Sequence, residues 1–292
     1  MRSSVTRPDG ISPDFLIVYF WGCLFIPMKK IILALSVLLI FSACGQSGKK
    51  TDQVVTISTE YGELVAILYD ETPLHKENFL KLANQGFFND LLFHRVIQGF
   101  MIQGGDPDSK NAPADKQLGN GGPGYNVPAE IDARFFHERG ALSAARLGDD
   151  RNPKRESSGS QFYIVQGTVW KTEDLDQFRM DQARLFTGLR KMFEQPAYKP
   201  LLDSLNGLYS SGNQKAYIDK LFQVAPRVEK FTGEKILKEI PADRVKTYTT
   251  IGGAPHLDGG YTVFGKVIKG MEVVDKIAAM PRGPADRPTQ DV

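Results

Sequence analysis

The chain has 292 residues, with 36 basic and 34 acidic side chains and a formal net charge of +2. That length leaves room for one sizeable domain or two smaller ones with ample core. The near-balance of charge, with no long basic run, excludes an electrostatic case for nucleic acid as a partner. Two cysteines, Cys23 and Cys44, both lie in the apolar N-terminal region. The remainder therefore has no internal disulfide and no thiolate metal site. His75, His94, His137 and His256 show no metal-ligand spacing and take a structural role by default; no metal or cofactor is expected.

From Met28 the chain reads MKKIILALSVLLIFSACGQSGKK: two lysines, an apolar run, then small residues before Cys44. This is the pattern of a bacterial secretion signal. The ending FSAC resembles a lipobox, which makes Cys44 the lipidation site. The apolar run falls short of the roughly 20 residues a spanning helix needs. Residues 28–44 are thus a lipoprotein signal peptide and 45–52 a polar tether. Residues 1–27 carry a second apolar patch, FLIVYFWGCLFIP, ahead of the signal. The simplest account starts translation at Met28, leaving 1–27 untranslated or disordered. The expected location is the cell envelope, lipid-anchored to a bacterial membrane and facing the periplasm.

VVTISTE (54–60) and GELVAILYD (62–70) predict two strands joined by a turn at Tyr61-Gly62. Thr72-Pro73 predicts a helix start, with Leu74, Asn78, Phe79, Leu82 and Ala83 on one face and Gly86 as the stop. FHRVIQGFMIQGGDP (93–107) alternates as two short strands around Gly99, and a glycine-rich loop, GNGGPGYNVPAEID, follows. GALSAARL (140–147), SQFYIVQG (160–167) and YTVFGKVI (261–268) are further strands, and MEVVDKIAAM (271–280) a helix. Many short strands with two helices and no strand–helix alternation predict an antiparallel barrel or sandwich.

FHRVIQGFMIQGGDP, SSGSQFYIVQG and LDGGYTVFGKVIKGMEVVDKI resemble, in that order, the core segments of cyclophilins. TPLHKENFLKLANQG is similar to their first helix, and GGPGYNVPAEID to the loop of the bacterial type. The resemblance covers residues 54–167 and 256–285. It implies a mainly β fold, an eight-stranded antiparallel barrel with two capping helices, and peptidyl-prolyl cis-trans isomerase activity. It makes Arg95 the catalytic arginine, with Phe100 and Gln103 beside it. Met101, Tyr163 and Leu257 match the apolar pocket walls, Ala145 the peptide groove, and Gln161 a group that positions Arg95 and the substrate carbonyl. His256 and Tyr261 stand where the family often has tryptophan and histidine; loss of the tryptophan weakens the expectation of cyclosporin binding. His94, although next to Arg95, is read as structural.

Residues 168–250 interrupt the resemblance at far more than the usual loop length. Their apolar residues recur at helical spacing: Leu175, Phe178, Leu185, Leu189 and Met192; then Leu201, Leu202, Leu205 and Leu208; then Tyr217, Ile218, Leu221 and Phe222. Pro200, Gly212-Asn213 and Pro226 punctuate the run. An inserted helical subdomain is expected, serving either as a surface for a protein partner or as plain elaboration. The resemblance also implies a last apolar strand, and none follows Met280. The last strand is therefore expected to be missing, which leaves the 54–60 edge open and prone to recruit another chain. RVKTYTTI (244–251), rich in β-branched residues, is the leading candidate to cover it. The function expected is isomerisation of proline-containing unfolded or exported polypeptides; the alternative is a proline-peptide-binding or chaperone module with little turnover.

Overall fold

The computed structural model describes residues 2–5 and 53–292. The expected signal at 28–44, Cys44 and the tether at 45–52 lie outside the described residues. Strand β1 (Arg2–Val5) pairs antiparallel with β2 (Gln53–Thr59), which turns back into β3 (Gly62–Leu68). Val55, Ile57, Leu64, Ala66 and Leu68 point inward, because successive side chains on a strand face opposite sides. Arg2–Val5, expected to be untranslated or disordered, is the strand partner of the 54–60 edge in the full chain, where 244–251 was the expected candidate; cleavage before Cys44 would remove that partner and leave the edge open.

Next come α1 (Pro73–Asn84), β4 (Arg95–Ile97), β5 (Met101–Gly104), β6 (Asn126–Val127), β7 (Ala141–Ala144), β8 (Ser157–Ser158) and β9 (Phe162–Val165). After a helical stretch follow β10 (Val263–Lys269) and a closing helix, Met271–Ala278. The main sheet runs β1–β2–β3–β10–β7–β9–β5–β4, antiparallel throughout, and curls around one core. Among the described residues no pairing joins β1 to β4, so the curl stops short of closure. Phe79, Phe88, Phe93 and Phe162 meet at its centre, with Val274 and Ile277 of the closing helix over one mouth. Gly270 precedes that helix at a φ of +96°, and a Cβ there would stand 2.2 Å from the Glu63 carbonyl oxygen, so the position requires glycine.

Helix α1 departs from its sequence pattern in two ways. Leu74 is exposed and His75 is buried in its place. Thr72 makes no capping bond; the Glu130 carboxylate accepts from the backbone N–H groups of Leu74 (3.0 Å) and His75 (2.9 Å) instead. A carboxylate from a distant loop satisfies the orphan donors that a local cap would have taken, and it suits the positive end of the helix dipole.

The stretch 172–250 folds into α2 (Thr172–Leu175), α3 (Gln182–Phe193), α4 (Lys199–Ser210), α5 (Gln214–Thr232) and α6 (Ala242–Thr250). Its own core gathers Leu185, Leu189, Met192, Leu205, Leu221 and Val228. The first predicted stripe is broken in two: Asp181 caps α3, and Phe178 turns toward the barrel. Pro226 does not end a helix. Val224, Ala225 and Val228 are buried on both sides of it, and this packing outweighs the proline's cost of about 3 kcal/mol. RVKTYTTI is helical rather than extended, since Tyr248 is buried and the Thr247, Thr249 and Thr250 hydroxyls donate back to carbonyls one turn earlier. Chain exit and return are tied at the neck, where Thr168 and Gly253 exchange backbone bonds of 3.2 and 3.0 Å. A Cβ on Gly253 would lie 2.3 Å from the His137 carbonyl oxygen, so only glycine fits there.

Candidate active site

Strand pairing sets the site. Arg95 stands opposite Gln103 across β4–β5, Gln103 opposite Tyr163 across β5–β9, and Tyr163 opposite Ser143 across β9–β7. Residues directly opposite share a face, so the ladder delivers Arg95, Gln103 and Tyr163 as one row. The row borders a cavity of about 290 Å³ whose apolar lining includes Phe100, Met101, Tyr163, Leu257 and Tyr261. Arg95, Gln103 and Ala145 line it as well. Phe100 is held at the β4–β5 turn by its carbonyl, which accepts from the N–H groups of Gln166 and Gly167, while Thr168 Oγ1 donates to the Gly99 carbonyl.

Two predicted residues take other positions. Gln161 Oε1 accepts from Gln103 at 3.0 Å, and its amide nitrogen donates to the carbonyls of Gly119 (3.0 Å) and Gly121 (2.7 Å). It therefore pins the glycine-rich loop to the strand and lines the neighbouring cleft instead of the pocket. The loop was legible as glycine-rich sequence similar to the bacterial-type loop, but its partner was not. Gln103 thus donates from its amide nitrogen to Gln161, since a guanidinium offers no acceptor for it. His256 lies outside the lining; its ring packs 5.0 Å from Phe100 and 6.3 Å from Phe178 of the insertion.

The partner of Arg95 is Asp286, whose Oδ2 accepts from Arg95 Nε at 3.3 Å while Oδ1 pairs with Arg282 at 2.7 Å. The segment carrying Asp286 is strapped down by the buried Arg287, which donates to the carbonyls of Ala112, Pro113 and Lys116. Val292 closes the strap: its carbonyl accepts from Phe93 N at 2.9 Å. Sequence reading saw PADRPTQDV only as the lack of a strand, and no local period marks an ion pair 191 residues long in sequence.

His94, expected to be structural, also lines the pocket. It is buried, and neither ring nitrogen has a hydrogen-bond partner among the described residues. Burial, helped by the nearby Arg95 charge, pushes its pKa down to about 4. A histidine that refuses a proton in the fold but accepts one when unfolded makes stability fall as pH falls. The loss begins near the ordinary value of about 6.5 and ends near the folded value, reaching about 3 kcal/mol for this group. Urea unfolding at pH 7 and pH 4.5 is expected to show this slope, and His94→Leu to flatten it. An unchanged slope in the variant would assign the acid sensitivity elsewhere.

A second cleft, of about 830 Å³, continues from Gln103 and Ala145 past Asn120, Tyr125, Arg151 and Lys154. The two cavities adjoin, sharing Gln103, Gly119, Ala145 and Arg146 as lining.

Comparison with known proteins agrees with this geometry. The family model described as cyclophilin type peptidyl-prolyl cis-trans isomerase/CLD matches residues 54–193 and 244–292, more than half of the chain. The unmatched residues between those segments fall within the helical stretch. A Staphylococcus saprophyticus relative is 30% identical over 226 residues, covering 77% of this chain and 80% of its own. Peptidyl-prolyl cis-trans isomerase B of Bacillus subtilis is 46% identical over 100 residues, 34% of this chain and 60% of that one. A Streptococcus pyogenes relative is 29% identical over 245 residues, 83% of this chain but 37% of its own length. With an antiparallel half-barrel, an arginine-edged apolar pocket and a matching family model, the chain belongs to the cyclophilin-type peptidyl-prolyl cis-trans isomerases.

Proposed function

We propose that the pocket isomerises X-Pro bonds in exported polypeptides, working in the cell envelope from a lipid anchor on Cys44 that faces the periplasm. One observation carries the chemistry: Arg95 stands at the rim of a small apolar pocket walled by Phe100, Met101, Tyr163 and Leu257. Rotation about a peptide bond meets a barrier of about 20 kcal/mol because the C–N bond has double-bond character. No bond breaks, so the reaction needs no nucleophile. The apolar walls grip the proline ring. The Arg95 guanidinium donates toward the prolyl nitrogen, which becomes a good acceptor only as the amide twists and the nitrogen pyramidalises. Stabilisation confined to the twisted state lowers the barrier, whereas equal binding of both states does not.

A protease-coupled assay on a short X-Pro peptide is expected to show faster isomerisation in proportion to added protein. A second reading, a peptide-holding module with little turnover, draws on the groove of about 520 Å³ between α3, α4 and α5, which Phe186, Phe193, Leu202, Tyr209 and Tyr217 line. A folded chain that binds the peptide without speeding its isomerisation would select that reading. The anchor has its own test. Cys44→Ser is expected to move the protein from the membrane to the soluble fraction, because each buried lipid CH₂ contributes roughly 0.8 kcal/mol. Unchanged membrane partition of the serine variant would place the anchor elsewhere.

A further inference from the structure

One wall of the pocket is tied to the inserted helices by a continuous chain of hydrogen bonds. Tyr248 of α6 is fully buried, and its hydroxyl donates to Asp258 Oδ2 at 2.7 Å. The other oxygen of Asp258 accepts from the backbone N–H of His137 at 2.9 Å and meets His137 Nδ1 at 3.0 Å. His137 Nε2 lies 3.0 Å from the hydroxyl of Tyr163, whose ring lines the pocket. The donors follow one order. A carboxylate only accepts, so Nδ1 carries an imidazole proton; in the neutral ring Nε2 then accepts and Tyr163 donates. Burial first, then the Asp258 charge, holds the Tyr248 phenol well above its ordinary range, so it stays a donor. Arg244, one turn earlier on α6, places Nη1 3.5 Å from the same Asp258 oxygen and lies over Phe136 at 4.9 Å.

Packing runs parallel to these bonds. The His137 ring stacks on Tyr163 with centroids 6.1 Å apart, and Tyr163 meets Tyr261 edge-on at 6.0 Å. Asp258 directly follows the pocket residue Leu257 in the chain. The two residues supplied by the insertion thus hold the carboxylate that orients the imidazole behind Tyr163. Buried hydrogen-bond chains of this kind fix rotamers, since breaking one link leaves the next group unsatisfied.

We infer that Tyr248 is a positioning residue for the proline pocket, through which the inserted helices set the placement of the Tyr163 wall and hence the grip on the proline ring. The inference rests on the pocket being the prolyl site. Tyr248 touches no reacting atom, so its loss acts on binding of the ring more than on the twist at the prolyl nitrogen.

The test is a double-mutant cycle on the full chain with a short Ala-Pro peptide. Tyr248→Phe and Tyr163→Phe each remove one hydroxyl and keep the ring. Each is expected to raise KM about three- to ten-fold with kcat little changed. The two side chains are separated by Asp258 and His137, so independent effects would multiply in the double variant. Coupling through the chain predicts instead that the double variant resembles either single one. Multiplying effects, or a Tyr248→Phe variant with the parent KM, would overturn the inference while wild-type turnover leaves the isomerase reading intact. A wild type that neither binds nor turns over the peptide overturns that reading, and the inference with it. If Tyr248→Phe unfolds the insertion, the unsubstituted protein still decides: nitrogen NMR of His137 is expected to show a protonated Nδ1 and a bare Nε2. The opposite tautomer would break the chain and overturn the inference.

Discussion

Arg95→Ala is expected to lower kcat by about 10²–10³-fold, the usual cost of removing one preorganised donor from a developing charge. Peptide affinity is expected to change by no more than about 1–2 kcal/mol, because the arginine's donors find their acceptor mainly in the twisted state. Geometry supports this division of labour. β-pairing holds Arg95 opposite Gln103, and Asp286 engages Nε, which leaves the terminal nitrogens for substrate. Arg95→Lys is expected to recover little, since an ammonium on a flexible stem cannot both meet Asp286 and present a planar donor. Asp286→Ala sets the scale of mere positioning. Both members of the pair are partly exposed, at 40% and 31%, and exposed pairs are worth at most about 1 kcal/mol, so a loss of about five-fold or less is expected. The isomerisation assay with parallel peptide titration separates the two effects. Near-parental kcat in Arg95→Ala would remove the arginine from the mechanism.

The second large effect concerns the core. Phe162→Ala is expected to destabilise the barrel by about 3–5 kcal/mol, the range for deleting a buried aromatic ring. The ring meets Phe79, Phe88 and Phe93 edge-on at 5.4, 5.7 and 6.3 Å and is fully enclosed. Edge-to-face pairs add to the burial. A loss of this size is a third or more of a typical stability of about 5–15 kcal/mol. Gln161 and Tyr163, the neighbours of Phe162, point to the opposite face, so catalysis at low temperature is expected to outlast the lost stability. Urea unfolding of the variant beside its isomerase rate checks both statements. A midpoint within experimental scatter of the parent would mean that the four phenylalanines do not form the core's centre.

These two residues also mark how far sequence reading reaches. Strand alternation in 53–68 and the pair of short strands around Gly99 were legible because a side-chain period of two is written in consecutive residues. The same period placed Phe100, Met101, Gln103 and Tyr163 on strands or turns that the ladder then aligned; their assignment to a site came from the resemblance, and eight of the ten residues so assigned line the pocket. The helical character of 168–250 was legible from its apolar spacing, but Pro226 and RVKTYTTI were misread. Local propensity there is worth tenths of a kcal/mol to a few kcal/mol, and burial of Val224, Val228 and Tyr248 outweighs it.

What the chain alone determined is therefore the periodic part, the strands, helices and their apolar faces, together with the motifs that carry the resemblance. Only the tertiary structure decided the polar partners. Glu130 caps α1 from 55 residues away, Asp258 meets His137 across 121, and Asp286 meets Arg95 across 191. A hydrogen bond needs two groups within about 3 Å and carries no period along the chain, so nothing local announces it before the sheet has brought its ends together.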